Sequence, residues 1–371
     1  MASASGEQGE RPIVAFLGPP SSFTHQATKS AFPEQTHTYH PVVTIKDVFD
    51  AVQSGAASLG VVPFENSTHG VVTFTLDSLA DRQGAFADLN VCGEVYLDVN
   101  HFLMGYKQKR ADGAGAVAHL SSSPSTSSPP HQKDEMGTST PTQANPTPLP
   151  PRAAPLHPLG HIKRVLSHPQ ALGQTNAFLS TYLRGVDCVD VSSTSKAAEM
   201  ASWDSTGETA AVAGCLAADM FGLDVLARFI QDRDDNTTRF FVLRRRGRED
   251  QSGDEDGTNS ASTTIEATIS AIMEQKSAPG EKGYKSLVSF TVPHSSPGAL
   301  ASVLDVFKRH RLNLTSINSL PSLVQPFHYI FFVEFEGSRY HDVEGKVQSA
   351  LNEINDVAQG WRWLGSWARH R

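Results

Sequence analysis

Two long stretches of this chain carry too few large apolar side chains to fold, and they fix how the remainder can be partitioned. From Lys109 to Pro158 the sequence turns to Ser, Thr, Pro, Gly and Ala, as in "SSSPSTSSPP" and "PTPLPPRAAP". Burying such a composition cannot offset the entropy of ordering its backbone, so a disordered insertion is predicted over 109–158. A second polar run, "GREDQSGDEDGTNSAS", opens near Gly247 and gives way near Gly283. It reads as an interdomain linker, 247–283, with room for a short helix from Thr264 to Lys276. Behind a polar tail of residues 1–11, three blocks of ordinary composition remain: about 12–107, 159–246 and 284–371.

The first block alternates. "IVAFLG" reads as a strand and "FTHQATKSAF" as a helix. "TIKDVFDAVQSG" reads as a helix capped by Thr44 and stopped by Gly55, and "LGVVPFEN" as a strand. The second block repeats the logic through "IKRVLSH", "PQALGQTNAFLSTYL", "VDCVDVSS", "TSKAAEMAS" and "TAAVAGCLAADMFG". Strands alternating with helices predict an α/β fold: two lobes with mostly parallel sheets, joined by crossing segments that leave an inter-lobe cleft. Ligands of such sheets gather beyond the carboxyl ends of the strands. The third block reads β-α-β-β-α-β, the ferredoxin-like order, and is expected to form a separate small domain.

Composition excludes several classes. Lys and Arg number 31 against 39 Asp and Glu, a net charge of -8. The basic run Arg244 to Arg248 is diluted by Glu249 and Asp250 and lacks interleaved aromatics, so no nucleic acid partner is expected. The N-terminus "MASASGEQGERP" has neither an apolar signal core nor an Arg-rich amphipathic pattern. The apolar stretch from Ala210 to Phe221 is broken by Asp219 and falls short of the roughly 20 residues a bilayer needs. A soluble, cytoplasmic protein with no membrane partner is expected. Cys92, Cys188 and Cys215 form no CxxC pair, give no metal site and are expected to be small buried hydrophobes. Asn66-Ser67-Thr68 and Asn236-Thr237-Thr238 match the glycosylation sequon but lack a secretory signal to use it. GxGxxG, P-loop, GxSxG and HExxH patterns do not occur, so nucleotide, α/β-hydrolase and zincin chemistries lack their parts.

Chemistry concentrates in four polar loops: "GPPSSFTH" (18–25), "PFENSTHG" (63–70), "SHPQALGQT" (167–175) and "VSSTSKAA" (191–198). Each is expected to follow a strand and open a helix, aiming hydroxyls and free N–H groups at one place beside a helix dipole. That geometry suits a carboxylate or phosphate without a Lys or Arg. Singly each could be an ordinary helix cap; four in matched lobes point to a ligand. A fifth segment, "IQDRDDNTTRFFVL", brings Asn236, Thr237, Thr238 and Arg239 to the start of an apolar strand. Arg239 offers a fork for a carboxylate and Thr238 a hydroxyl donor beside it, although a surface turn before a strand fits the pattern equally.

In this order, "GVVPFENSTHG", "SHPQALGQT", "IQDRDDNTTRF" and "GALASVL" resemble the prephenate dehydratase family with its C-terminal ACT regulatory domain. The resemblance covers the chain except the tail, the insertion and the linker. It implies decarboxylating dehydration of prephenate to phenylpyruvate in phenylalanine biosynthesis, with no cofactor. It assigns Thr238 as donor to the leaving C4 oxygen and Arg239 as carboxylate anchor. Ser22, Thr24, Glu65, Asn66, Ser67, Ser167, Gln170, Thr194, Ser195, Asn236 and Phe240 become substrate contacts. It further implies phenylalanine as an allosteric ligand at Gly298, Ala299, Leu300 and Leu304 with Asn318, Ser319 and Pro321, and assembly as a homodimer or homotetramer through the 284–371 domain.

Two departures stand out. The family's first loop reads Gly-Pro-x-Gly-Thr-Phe-Ser, whereas Ser21, Ser22 and Thr24 stand here, and a serine at 21 tolerates positive φ less freely than glycine. Where the family has Glu-Ser-Arg-Pro, this chain has Asn318, Ser319, Leu320 and Pro321, which removes two charges from the expected phenylalanine site. Arogenate in place of prephenate, or a non-catalytic amino-acid-binding regulatory protein, fits the same residues. With about eleven residues before the first strand, a fused chorismate mutase is not expected.

Overall fold

The computed structural model describes residues 11–108, 150–246 and 283–370. The predicted tail, most of the insertion and most of the linker lie outside the described residues. In chain order the elements begin with β1 (Ile13–Leu17), α1 (Phe23–Ala31), β2 (Thr38–Val42), α2 (Ile45–Gln53), β3 (Leu59–Asn66), β4 (Gly70–Val71), α3 (Thr73–Ala80), β5 (Leu89–Asp98) and β6 (Phe102–Gly105). After the insertion come β7 (Arg164–Ser167), α4 (Pro169–Gly173), α5 (Asn176–Tyr182), β8 (Asp187–Asp190), α6 (Thr194–Ser202), β9 (Thr209–Ala213), α7 (Cys215–Phe221), β10 (Asp224–Ala227) and β11 (Thr237–Arg245). The last block supplies β12 (Tyr284–Thr291), α8 (Ala299–Arg309), β13 (Leu314–Pro321), β14 (Tyr329–Glu336), α9 (Lys346–Val357) and β15 (Gly360–Ala368).

The chain separates into two compact units, one combining everything up to Val99 with everything from Asp235 onward, the other running from Asn100 to Asp234. Within the first, the sheet order β2-β1-β3-β11-β5 sets β11 between β3 and β5. The sequence division placed β11 in the second lobe and β6 in the first. Hydrogen bonding decides otherwise, because Thr238–Arg244 pair with β3 and Thr237–Arg245 with β5. The second unit has the order β10-β6-β9-β7-β8. In neither sheet is the expected parallel arrangement complete. β1 pairs parallel with β2 and β3, and β7 with β8 and β9, while β11 and β6 run antiparallel to their neighbours.

Local signals account for the element ends. Thr44 Oγ1 accepts from the Asp47 N–H and the Asp47 carboxylate accepts from the Thr44 N–H, a reciprocal capping box that starts α2. Its face of Ile45, Val48, Phe49 and Val52 is buried, and Gly55 at φ 79 ends the turn as expected. Ser22 caps α1 by accepting from the His25 N–H. The preceding Ser21 takes φ 68 despite its side chain, and its N–H donates to His25 Nδ1 at 3.0 Å, which ties the strained residue to the helix it precedes. The single helix read through "PQALGQTNAFLSTYL" is two. Thr175 Oγ1 bonds the Ala171 carbonyl, and the Asp232 carboxylate takes the N–H groups of Asn176 and Ala177, giving α5 its own start.

Residues 150–158 were read as part of the insertion but lie along the second unit. The Leu156 N–H donates to the Leu226 carbonyl, Arg152 pairs with Asp234, and Ala153 packs on the core of Val165, Phe178 and Val212. Cys188 and Cys215 are exposed and Cys92 is partly buried, against the expectation of three buried hydrophobes.

The last block forms the sheet β13-β14-β12-β15 with α8 and α9 on one face, the ferredoxin-like arrangement. Strand alternation splits β14. Val333 and Phe335 pack with Phe307 and Leu351 beneath the helices, while Phe332 joins Leu287, Leu364 and Trp367 against Phe64 and Phe241 of the first sheet. Each such aromatic contributes about 1.5–3 kcal/mol when buried. The expected separate small domain therefore shares a core with the first lobe and belongs to one unit with it.

Candidate functional site

The polar end of β3 does not open a helix. It turns into a hairpin, Asn66 opposite Gly70, with Gly70 at φ 78. Asn66 organises that turn: its Oδ1 accepts from the Thr68 and His69 N–H groups, both at 3.0 Å. With the oxygen fixed, the amide nitrogen must point the other way, where it donates to Asn236 Oδ1 at 2.7 Å and Thr238 Oγ1 at 2.9 Å. Thr238 lies opposite Asn66 in the β3–β11 ladder and is half-buried. Its oxygen is an acceptor in this pair, which leaves the hydroxyl hydrogen for an outside acceptor.

The neighbours brace this pair. Ser67 Oγ donates to the Asp235 carbonyl and accepts the Thr237 N–H, and Thr237 Oγ1 donates to Asp98. Asn236 is buried, its backbone carbonyl taking the Val99 N–H. Glu65 is half-buried and lies opposite Arg239 in the β3–β11 ladder and Val71 in the hairpin, so it takes the other face of the strand. The structure thus brings together Asn66, Ser67, Asn236 and Thr238 at one end of the first sheet.

Arg239 does not join them. Successive strand residues face opposite sides, so Arg239 points with Phe241 toward the ferredoxin-like sheet and is 6% exposed. Its Nη2 lies 2.6 Å from Glu94 and 2.6 Å from Glu334, and the guanidinium sits over the Phe64, Phe241 and Tyr96 rings. Lys285 Nζ completes the cluster at 3.4 Å from Glu94 and 3.6 Å from Glu334. Thr315 donates to Glu334, and the His370 N–H to Glu94. Burial would raise the Glu94 pKa, but Arg239 and Lys285 outweigh it and hold the carboxyl below its ordinary value. Burial would likewise lower that of Arg239, yet the two carboxylates hold it above its usual range. Burial, reinforced by Glu94, pushes the Tyr96 phenol upward. The expected carboxylate anchor is therefore an internal ion-pair centre.

The other expected contacts are placed as follows. Phe240 is 1% exposed and packs in the core of Val14, Phe16 and Val61. Ser167 is fully buried and spends its hydroxyl on the Val212 carbonyl at 2.6 Å. Ser22 is committed as a cap, donating to the Leu17 carbonyl, and Thr24 is buried in the first turn of α1. In the second unit, His168 starts α4 and Ser193 caps α6 by accepting the Lys196 N–H. There Gln170 is exposed, Thr194 half-buried and Ser195 buried.

In the ferredoxin-like unit, Gly298, Ala299, Leu300 and Leu304 line a pocket of about 500 Å³ with His294, Tyr329 and Phe331. Gly298 caps α8 at φ 81. Asn318, Ser319 and Pro321 lie on the edge strand β13 and do not line it. Sequence reasoning missed Glu94, Lys285 and Glu334, whose only local signal was a charge inside an apolar strand. Among the described residues no helix is long and apolar enough to cross a membrane, and no group of three or more His, Cys, Asp or Glu could hold a metal ion.

A two-unit α/β chain with a hydroxyl and amide site and a ferredoxin-like sheet packed on its first lobe defines a narrow class. The prephenate dehydratase family model matches residues 14–126 and 153–248. The chain is 32% identical over 356 residues to the bifunctional chorismate mutase/prephenate dehydratase of Aquifex aeolicus, across 96% of this chain and 73% of the relative. It is 26% identical to the prephenate dehydratase of Lactococcus lactis subsp. cremoris, across 96% and 97%. In fold it is similar to the prephenate dehydratase of Arthrobacter aurescens solved in complex with L-Phe, with a TM-score of 0.67, 24% identity, and 96% and 90% covered. The chain belongs to the prephenate dehydratase family, whose named members are dehydratases of the carbon–oxygen lyase class.

Proposed function

We propose that this chain converts prephenate to phenylpyruvate, carbon dioxide and water. The observation that carries the chemistry is the Asn66–Thr238 pair. Asn66 Nδ2 donates to Thr238 Oγ1 while its own oxygen is fixed by two backbone N–H groups, so the threonine hydroxyl is oriented as a donor before substrate arrives.

In the reaction the ring carboxylate leaves as CO2, and its bonding electrons enter the ring. The C4–oxygen bond breaks, and the departing hydroxyl takes a proton from solvent to become water. Aromatisation drives the step, so the protein's tasks are orientation and relief of charge on a poor leaving group. Thr238 donates a hydrogen bond that strengthens as charge builds on the C4 oxygen; a threonine is too weak an acid for full transfer. No cofactor enters. Asn66 stands beside the reacting atoms. Arg239 and Phe240 are assigned to support.

The Arthrobacter relative was solved with L-Phe. On that ground we assign phenylalanine to the pocket beside Gly298, Ala299, Leu300 and Leu304, treat 284–371 as an ACT regulatory domain, and propose that the chain assembles as a homodimer or homotetramer through it. The test is an assay of the purified chain with prephenate and, separately, arogenate, with and without added phenylalanine. Phenylpyruvate from prephenate supports the reading. Turnover of arogenate alone reassigns the substrate, and turnover of neither by folded protein overturns it in favour of a binding or regulatory protein.

A further inference from the structure

The buried cluster behind β11 has no part in the chemistry just described, yet it grips the residue next to Thr238. Arg239 is held from one side by Glu94 of β5, its neighbour in the same sheet, and from the other by Glu334 of β14, which belongs to the ferredoxin-like unit. Thr315, also of that unit, orients Glu334 by donating to its other oxygen at 2.6 Å. The β3–β11 register shifts between Arg239 and Phe240. On the β3 side the ladder that places Thr238 opposite Asn66 is interrupted immediately after Arg239, while on the other side β11 pairs with β5 without a break from Thr237 to Val242. The Arg239 side chain adds to that pairing an anchor outside the sheet, at Glu334 of β14.

We propose that Glu334 is a positioning residue for Thr238, acting through Arg239, and that this ion pair is how the ferredoxin-like unit acts on the reaction. The opposite face of the same strand gives the route its other end: Tyr329 and Phe331 line the pocket beside α8, and Glu334 follows three residues later facing the first sheet. One strand and one ion pair join the two places. The inference rests on the proposed role of Thr238, so its test needs a readout that does not require turnover.

The experiment uses the full chain with methyl-labelled threonine in three forms: unaltered, Glu334→Gln, and Glu334→Gln with Lys285→Met. The single variant leaves the cluster with one surplus positive charge and can be destabilised for that reason alone. The double variant restores the balance, leaving Arg239 paired with Glu94 only. Positioning predicts that the Thr238 methyl resonance moves in both variants while the Thr194 methyl of the second unit stays in place. It also predicts that kcat for prephenate falls about tenfold in both with KM within about threefold, although the double variant recovers melting temperature. An unmoved Thr238 methyl in both variants overturns the inference whether or not the chain turns over prephenate. Recovery of kcat together with stability in the double variant also overturns it, by reducing Glu334 to a structural charge. If the methyl moves but the unaltered chain has no activity, the positioning stands and the assigned reaction falls.

Discussion

Thr238 and Asn66 make a pair in which one member can be altered without disturbing the turn that presents it. Replacing Thr238 with Val keeps the β-branched shape and removes the hydroxyl; turnover of prephenate should fall roughly 10²-fold, the low end of what a positioned proton donor supplies. Asn66→Asp is subtler. A carboxylate still accepts from the Thr68 and His69 N–H groups but cannot donate to Thr238 Oγ1. We expect about a tenfold loss in kcat with the fold intact by circular dichroism; unchanged kcat in Asn66→Asp would remove the orienting role. Phe240→Ala separates packing from contact. Its ring is fully buried, so denaturant titration should show about 3–5 kcal/mol of lost stability. The site was only half legible in the sequence at this scale. The pattern before β11 fitted a surface turn as well as a ligand site, and Thr238 was singled out by the family resemblance; the partners of Arg239 lie on other strands, one of them 95 residues further along, and no local pattern announces such a pairing.

Among the elements, those with a clean apolar period or a side-chain cap were readable. The capping box and Gly55 bounded α2, and the apolar run of β3 was read to its last member. The loop after β3 was misread as a helix start because hydroxyls and amides serve helix caps and hairpin turns alike. What chose the hairpin was Gly70 at positive φ and the two N–H groups taken by Asn66. The break between α4 and α5 had a distant cause too, in Asp232. Burial raises the pKa of Asp232 from 3.8 to about 6, against the opposing N–H bonds of Ala177 and Asn176. A folded-state pKa above the unfolded one means that the native chain holds its proton longer. Stability from this group is full below about pH 4 and is lost as the pH rises toward 6. Asp232→Asn, which cannot ionise, should gain in melting temperature relative to the unaltered chain between pH 4 and 6.5; a difference that does not vary with pH would refute the shift.

At the scale of the whole molecule, the two compositional breaks divided the chain into blocks but did not say which blocks belong together. Pairing settled that: β11 returns across the gap to lie between β3 and β5, and the ferredoxin-like sheet buries Phe332 and Trp367 against the first lobe. Composition is blind to such a return, since β11 reads as one more apolar strand wherever it is placed. The return also has a topological consequence. Asp98 and Thr237 face each other in the ladder, and the Val99 N–H bonds the Asn236 carbonyl, so the backbone leaves the first unit and re-enters it through a single doorway. In chain-connectivity terms the span from Asn100 to Asp234 is a cassette. Excising it and closing the gap with a two-residue Asn-Gly turn should yield a shorter chain that still melts cooperatively.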